Sequence, residues 1–75
     1  MSLSVSEVTE VFGKIILQDC GPDDNFFDIG GDSLLAEALA MELSERAQRD
    51  IPISALLDYP TPRELAGHIA GLPAY

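Results

Sequence analysis

Apolar residues in the first quarter of the chain recur every three or four positions: Val5, Val8, Val11, Phe12, Ile15 and Ile16. At about 3.6 residues per turn they make one stripe of a helix, with Glu7, Glu10 and Lys14 turned away from it. Ser4-Val5-Ser6-Glu7 has capping-box spacing, so the pattern predicts a first helix over Val5–Gln18. Glu10 and Lys14 have the favourable order for an exposed ion pair four residues apart. The pattern then breaks. From Asp19 to Asp32 the chain reads as a long loop, with Gly21-Pro22 ending the helix and Asp23-Asp24-Asn25 continuing the turn chemistry. Phe26, Phe27 and Ile29 are the expected anchors of this loop, and Gly30-Gly31 gives backbone freedom, including positive φ, before the next element. Loops of this length inside a small domain are uncommon and usually functional.

Helical periodicity returns at Asp32 or Ser33 and runs to Arg46 or Ala47. Asp32 is a good cap, and Leu34 to Ala40 are strong helix formers. Leu35, Leu39 and Leu43, with Ala36 and Ala47, gather on the face expected to be core. Leu34, Glu37, Ala38, Met41 and Glu45 fall on the opposite face. Arg46 and Arg49 sit where the helix dipole favours cations. After Pro52, Ile53–Leu57 is one short helical turn. Tyr59-Pro60-Thr61-Pro62-Arg63-Glu64 announces a last helix: Thr61 caps, Pro62 takes the first position, and Glu64 completes a second capping box. Leu65, Ala66 and Ile69 form its apolar stripe, and Gly71 with Pro73 stops it. No stretch of useful length alternates with period two, so no sheet is expected. The expected fold is all-α: three main helices and one short one, in a single domain over 1–75 with its core in about 4–70 and a tail over 71–75.

Composition narrows the function. Seventy-five residues, 47% of them hydrophobic, suffice for one small folded domain. Thirteen acidic against four basic residues give a net charge of −9, which disfavours nucleic acid and anionic membrane surfaces and favours partners rich in Lys and Arg. One cysteine, Cys20, excludes an intrachain disulfide scaffold. Neither a membrane span nor a signal peptide is legible, and a cytoplasmic monomer is expected.

Catalytic residues are scarce. His68 is alone, Cys20 has no His nearby, and no His or Cys pair has metal-ligand spacing. An EF-hand started at Asp23 places Phe27 at the fifth position and Asp28 where glycine is required; one started at Asp28 fails at Gly30 and Ser33. Gly31-Asp32-Ser33-Leu34-Leu35 lacks the closing glycine, the preceding strand and the triad of a hydrolase nucleophile elbow. Ser33 still stands out, after two glycines and an acid at the mouth of a helix. It reads either as a capping serine or as a hydroxyl displayed for modification, where a phosphate ester would lie near free backbone amides. The exposed Leu34 and Met41 beside it read as scattered surface residues or as a partner patch.

Asp24-Asn25-Phe26-Phe27-Asp28-Ile29-Gly30-Gly31-Asp32-Ser33-Leu34-Leu35-Ala36 resembles the phosphopantetheine attachment motif of carrier proteins. It is particularly similar to that of the peptidyl, or thiolation, carriers of nonribosomal peptide synthesis. Tyr59-Pro60-Thr61-Pro62-Arg63-Glu64-Leu65-Ala66 resembles the segment leading into that family's last helix, so the likeness covers about residues 4–70. The resemblance implies a four-helix bundle with a short third helix. It implies that a separate, magnesium-using phosphopantetheinyl transferase directs the Ser33 hydroxyl at the β-phosphorus of coenzyme A. Ser33 would then carry 4′-phosphopantetheine, with Asp32 as its flanking motif residue, and the arm's thiol would hold an aminoacyl, peptidyl or acyl group as a thioester. The chain itself would catalyse nothing. Leu34 and Met41 would be docking contacts and Glu37 a steering charge. Partners would be the transferase, an adenylation (loading) enzyme or acyltransferase, and downstream condensation or tailoring enzymes of a natural-product pathway.

Peptidyl carriers often have His where Asp32 stands, and Gly-Gly-Asp-Ser also occurs in polyketide-type acyl carriers. Fatty-acid carriers usually have a more acidic segment than Leu34-Leu35-Ala36 after the serine. The resemblance therefore favours an aminoacyl or peptidyl cargo, with an acyl cargo second. Met1 and the short tail suggest a free-standing carrier, although an excised domain would look the same. The competing reading is an unmodified helical adaptor for a basic partner, which explains the charge but not Gly30-Gly31-Asp32-Ser33 after a long loop.

Overall fold

A computed structural model describes residues 3–73; Met1, Ala74 and Tyr75, used above in reading the termini, lie outside the described residues. Four helices follow one another: α1 over Val5–Ile16, α2 over Ser33–Ala47, α3 over Ile53–Asp58 and α4 over Pro62–Ala70. α1 packs against both α2 and α4, and α3 packs against α2. No strand occurs among the described residues, as the absence of period-two alternation predicts, and no described helix is long and apolar enough to cross a membrane.

The core is built largely from the predicted stripes of α1, α2 and α4, joined by α3, to which the sequence pattern assigns no face. Val8, Val11 and Phe12 of α1 meet Leu39 and Leu43 of α2, Leu56 of α3 and Leu65 and Ile69 of α4, every one at or below 1% exposure. No charged or polar residue is buried with them among the described residues, so apolar burial carries the fold at about 25 cal/mol per Å². Within α2 the buried face is Ala36, Leu39, Ala40, Leu43 and Ala47, while Leu35 is only half-buried. The face is therefore rotated from the one predicted, towards Ala40.

The helix ends are largely as the sequence announces. The Ser4 hydroxyl accepts from the Glu7 amide at 3.1 Å and the Glu7 carboxylate accepts from the Ser4 amide at 3.0 Å, closing the first capping box. These bonds to Ser4 hold the Glu7 carboxyl below its ordinary value. At α4, Thr61 accepts from the Glu64 amide at 3.2 Å, but the predicted second box does not close. The Glu64 carboxylate accepts a hydrogen bond from the Thr61 hydroxyl at 2.9 Å instead of one from the cap amide.

α1 stops at Ile16 and not at Gln18. Leu17 takes a left-handed conformation, φ 64°, and its amide bonds back to the Gly13 carbonyl at 2.8 Å. Gly13 makes this reversal possible: a side chain there would begin 2.9 Å from the Gln18 carbonyl oxygen. Lys14 does not pair with Glu10. Its ammonium lies 3.6 Å from Glu42 on α2, which also accepts from Arg46 at 2.7 Å. The Arg46 hydrogen bond first, and the Lys14 charge second, hold the Glu42 carboxyl below its ordinary value. α3 extends one residue past the predicted turn, to Asp58. Gly71 ends α4 as expected.

Candidate functional site

The long loop between α1 and α2 is not slack. The Phe26 amide donates to the Pro60 carbonyl at 2.8 Å, and the Arg63 amide donates to the Pro22 carbonyl at 3.0 Å. The Arg63 guanidinium adds a two-pronged contact to Asp23, at 2.8 and 3.4 Å. This hydrogen-bonded pairing lowers the Asp23 carboxyl pKa from its ordinary value. The loop and the segment entering α4, the two motifs singled out in the sequence, are thus one structural unit.

Phe26 anchors the loop to the core. Its side chain is fully buried, edge-on to Phe12 of α1 with ring centroids 5.4 Å apart and edge-on to Phe27 at 5.3 Å. Phe27 is partly buried against the same core. Ile29, the third expected anchor, lies outside the core cluster; it contributes its carbonyl, which accepts from the Gln18 side-chain amide. Asn25 folds the turn by accepting from the Phe27 and Asp28 amides at 2.9 and 3.3 Å. The two glycines then have different reasons to exist. Gly30 has φ +113°, a conformation that favours glycine. Gly31 needs no unusual φ; it lies directly against Phe26.

The loop delivers the chain to α2 at Asp32. The Asp32 carboxylate accepts from the Leu35 amide at 2.9 Å and its carbonyl from the Ala36 amide at 2.8 Å. Asp32, and not Ser33, is therefore the cap. Ser33 is the first residue of the helix, is exposed, and its hydroxyl bonds to no described residue. The capping role, the ordinary reason for a serine at a helix start, is already taken by its neighbour. The Ser33 hydroxyl stands free at the positive end of a fifteen-residue helix, where backbone amides without helical partners and the dipole favour an attached phosphate. A covalent arm attached there needs no enclosing cavity, so this exposed position suits a 4′-phosphopantetheine ester.

Around it, Leu34 is 74% and Met41 69% exposed, on the predicted outward face with exposed Glu37, Ala38 and Glu45. Glu37 and Met41 share with Ile53 the lining of a groove of about 390 Å³ between α2 and the start of α3. Leu57 of α3, at 64% exposure, is a further outward apolar residue. Sequence reading missed both α3 residues, because a two-turn helix carries too little periodicity to assign a face.

His68 stacks on Tyr59, ring centroids 4.3 Å apart and planes 15° apart. Cys20 is half-buried; desolvation first, and the Asp24 charge second, push its thiol pKa up. No cluster able to hold a metal ion exists among the described residues.

A family model described as the phosphopantetheine attachment site matches residues 5–69. The chain is 38% identical over 65 residues to a nonribosomal peptide synthetase of Penicillium thymicola; this covers 87% of the chain but 2% of the synthetase. It is 42% identical over 57 residues to a probable non-canonical nonribosomal peptide synthetase of Salinispora arenicola, spanning 75% of the chain and 1% of that protein. Among solved structures, a peptidyl carrier protein in complex with the phosphopantetheine transferase Sfp and coenzyme A superposes with a TM-score of 0.84 at 31% identity, covering 93% and 92% of the two chains. An active-site mutant peptidyl carrier protein gives 0.83 at 30%, covering 93% and 82%. A type-II acyl carrier protein from Streptomyces verticillus shares the fold, with a TM-score of 0.83 at 21% identity and 88% and 81% coverage. With its four-helix bundle, its loop-held α2 start and this match over most of its length, the chain belongs to the phosphopantetheine-attachment family of carrier domains.

Proposed function

We propose that Ser33 is the attachment serine and that the chain is one carrier unit, over 1–75, for aminoacyl or peptidyl intermediates. The observation that carries this reading is the division of labour at the start of α2: Asp32 caps the helix, leaving the exposed Ser33 hydroxyl free. In the attachment step the Ser33 Oγ forms a bond to the β-phosphorus of coenzyme A. The pyrophosphate bond breaks, adenosine 3′,5′-bisphosphate leaves, and the hydroxyl proton passes to a base on the transferase. When bound, the arm supplies a terminal thiol able to hold a carboxylic acid as a thioester.

This chain's own part is to bind, present and orient. Its rigid loop and capped helix fix the attachment point, while the tether raises the effective concentration of cargo at each partner. Leu34 and Met41 are the docking contacts, and Glu37 a steering charge within a surface of net charge −9. The partners are a phosphopantetheinyl transferase, an adenylation or other loading enzyme, and downstream condensation or tailoring enzymes, in the cytoplasm. The peptide-synthetase relatives favour an amino-acid-derived cargo over an acyl chain.

Intact-protein mass after incubation with coenzyme A, magnesium and a broad-specificity transferase tests the site. Gain of one phosphopantetheine by the folded wild type, absent in Ser33→Ala, is the expected result. Equal gain in both proteins would move the site elsewhere.

A further inference from the structure

Two residues before Ser33, the backbone rests on an aromatic ring. A Cβ built on Gly31 would lie 2.4 Å from both Cδ2 and Cε2 of Phe26 and 2.6 Å from the Phe26 carbonyl oxygen. Non-bonded carbons prefer separations of about 3.5–4.0 Å, so no side chain fits without moving the ring or the backbone. The ring has nowhere easy to go, being fully buried and edge-on to Phe12 and Phe27. Residue 26 is also held through its main chain: its amide donates to Pro60 at 2.8 Å, and its carbonyl accepts from the Gly31 amide at 2.9 Å. A continuous path thus runs from the core through Phe26 and Gly31 to Asp32, whose carboxylate starts α2, and then to Ser33.

We propose that Phe26 and Gly31 act together as a positioning lock for Ser33, setting where its hydroxyl is presented to the transferase. The proposal rests on Ser33 being the attachment serine. Neither residue touches the reacting atoms. They act through the backbone at positions 31 and 32, the only span between the ring contact and the nucleophile. In-line attack on phosphorus tolerates little displacement, and a misplacement of about 1 Å can cost about 100-fold in rate. A glycine required by contact with the ring and carbonyl of Phe26, and not by positive φ, also separates the duties of the Gly30-Gly31 pair: the first makes the turn, the second makes the contact.

The test is the kinetics of loading, followed by mass spectrometry with coenzyme A and a transferase, on wild type, Gly31→Ala, Phe26→Leu and the double variant, with melting curves for each. Gly31→Ala is expected to lower kcat by about tenfold or more while changing the KM for the carrier by less than about threefold, since the docking face of α2 is untouched. Phe26→Leu alone is expected to load more slowly than wild type, because it leaves the 31–32 backbone without its rest. In the double variant the added methyl no longer meets the ring but still meets the residue 26 carbonyl oxygen, so alanine at 31 is expected to slow loading less in the Phe26→Leu background than in the wild type. If Gly31→Ala does not fold, the loading rate of Phe26→Leu against wild type decides. A folded Phe26→Leu or Gly31→Ala protein that loads at the wild-type rate, or an equal slowing by alanine in both backgrounds, would overturn the lock. Wild type that loads at a residue other than Ser33 would instead overturn the site reading beneath it.

Discussion

Asp32→Ala removes the side-chain acceptor that starts α2 while leaving Ser33 in place. The lost interaction is the 2.9 Å bond from the Leu35 amide to the Asp32 carboxylate, and replacing such a cap by alanine costs about 1 kcal/mol. An unfolding entropy of about 2.1 cal/mol/K per residue gives this 75-residue chain about 0.16 kcal/mol/K. The melting temperature is therefore expected to fall by about 6 °C. Asp32→Asn keeps an oxygen acceptor and is about as good a cap, so it is expected to melt close to wild type. Thermal denaturation followed by far-ultraviolet circular dichroism reads both. The same pair separates cap from charge in function: if Ser33 depends on an ordered first turn, Asp32→Ala loads slowly and Asp32→Asn loads normally. An Asp32→Ala protein that melts with the wild type, or an Asp32→Asn protein that falls as far as Asp32→Ala, would refute the assignment of Asp32 as the cap.

Asp23→Asn tests the clamp between the loop and α4 through pH. Arg63 depresses the Asp23 carboxyl in the folded protein, so the pairing stabilises above the ordinary carboxylate pKa and is lost as pH falls through the depressed one. Urea denaturation is expected to show wild type more stable than Asp23→Asn near neutrality, with the two converging in acid; a gap that persists unchanged in acid would contradict the pairing. Met41→Glu and Leu34→Ala alter exposed side chains and are expected to leave the melting temperature nearly unchanged while weakening transfer to or from a partner enzyme. Unchanged kinetics with every partner tried would remove them from the docking face. Cys20, half-buried and with its thiol pKa raised, is expected to react slowly with a thiol reagent at neutral pH. Loading then adds one fast-reacting thiol, and a fast thiol before loading would contradict the burial of Cys20.

What the sequence makes legible is local. Ser4 with Glu7, Thr61 with Pro62, and Gly71 mark helix ends through bonds a few residues long, and the structure places the ends there. The i, i+3, i+4 stripes select core faces, correctly except that α2 buries Ala40 more deeply than Leu35. The misses depend on distant parts of the chain. Nothing near Leu17 marks a left-handed residue; the helix ends there because Gly13 admits the returning Gln18 carbonyl and because Gln18 bonds to Ile29 across the loop. Lys14 finds Glu42 on another helix, which no spacing rule along α1 reveals. The site is legible in part: Ser33 stands out by its neighbours and Asp32 reads as a good cap, yet only the fold shows that the Ser33 hydroxyl bonds to no described residue and that Gly31 lies against the ring and carbonyl of Phe26.

The most direct test of Ser33 is its localisation by fragment-ion mass spectrometry after loading. Digestion after Lys14 and Arg46 gives one peptide containing both Ser33 and Ser44, so the fragment ions must separate them. Ser44 is the informative competitor, because its half-buried hydroxyl is already engaged with the Ile51 amide at 3.0 Å. All phosphopantetheine on Ser33, with none on Ser44, is the predicted result. Modification of Ser44, or of any serine outside this peptide, would contradict the account.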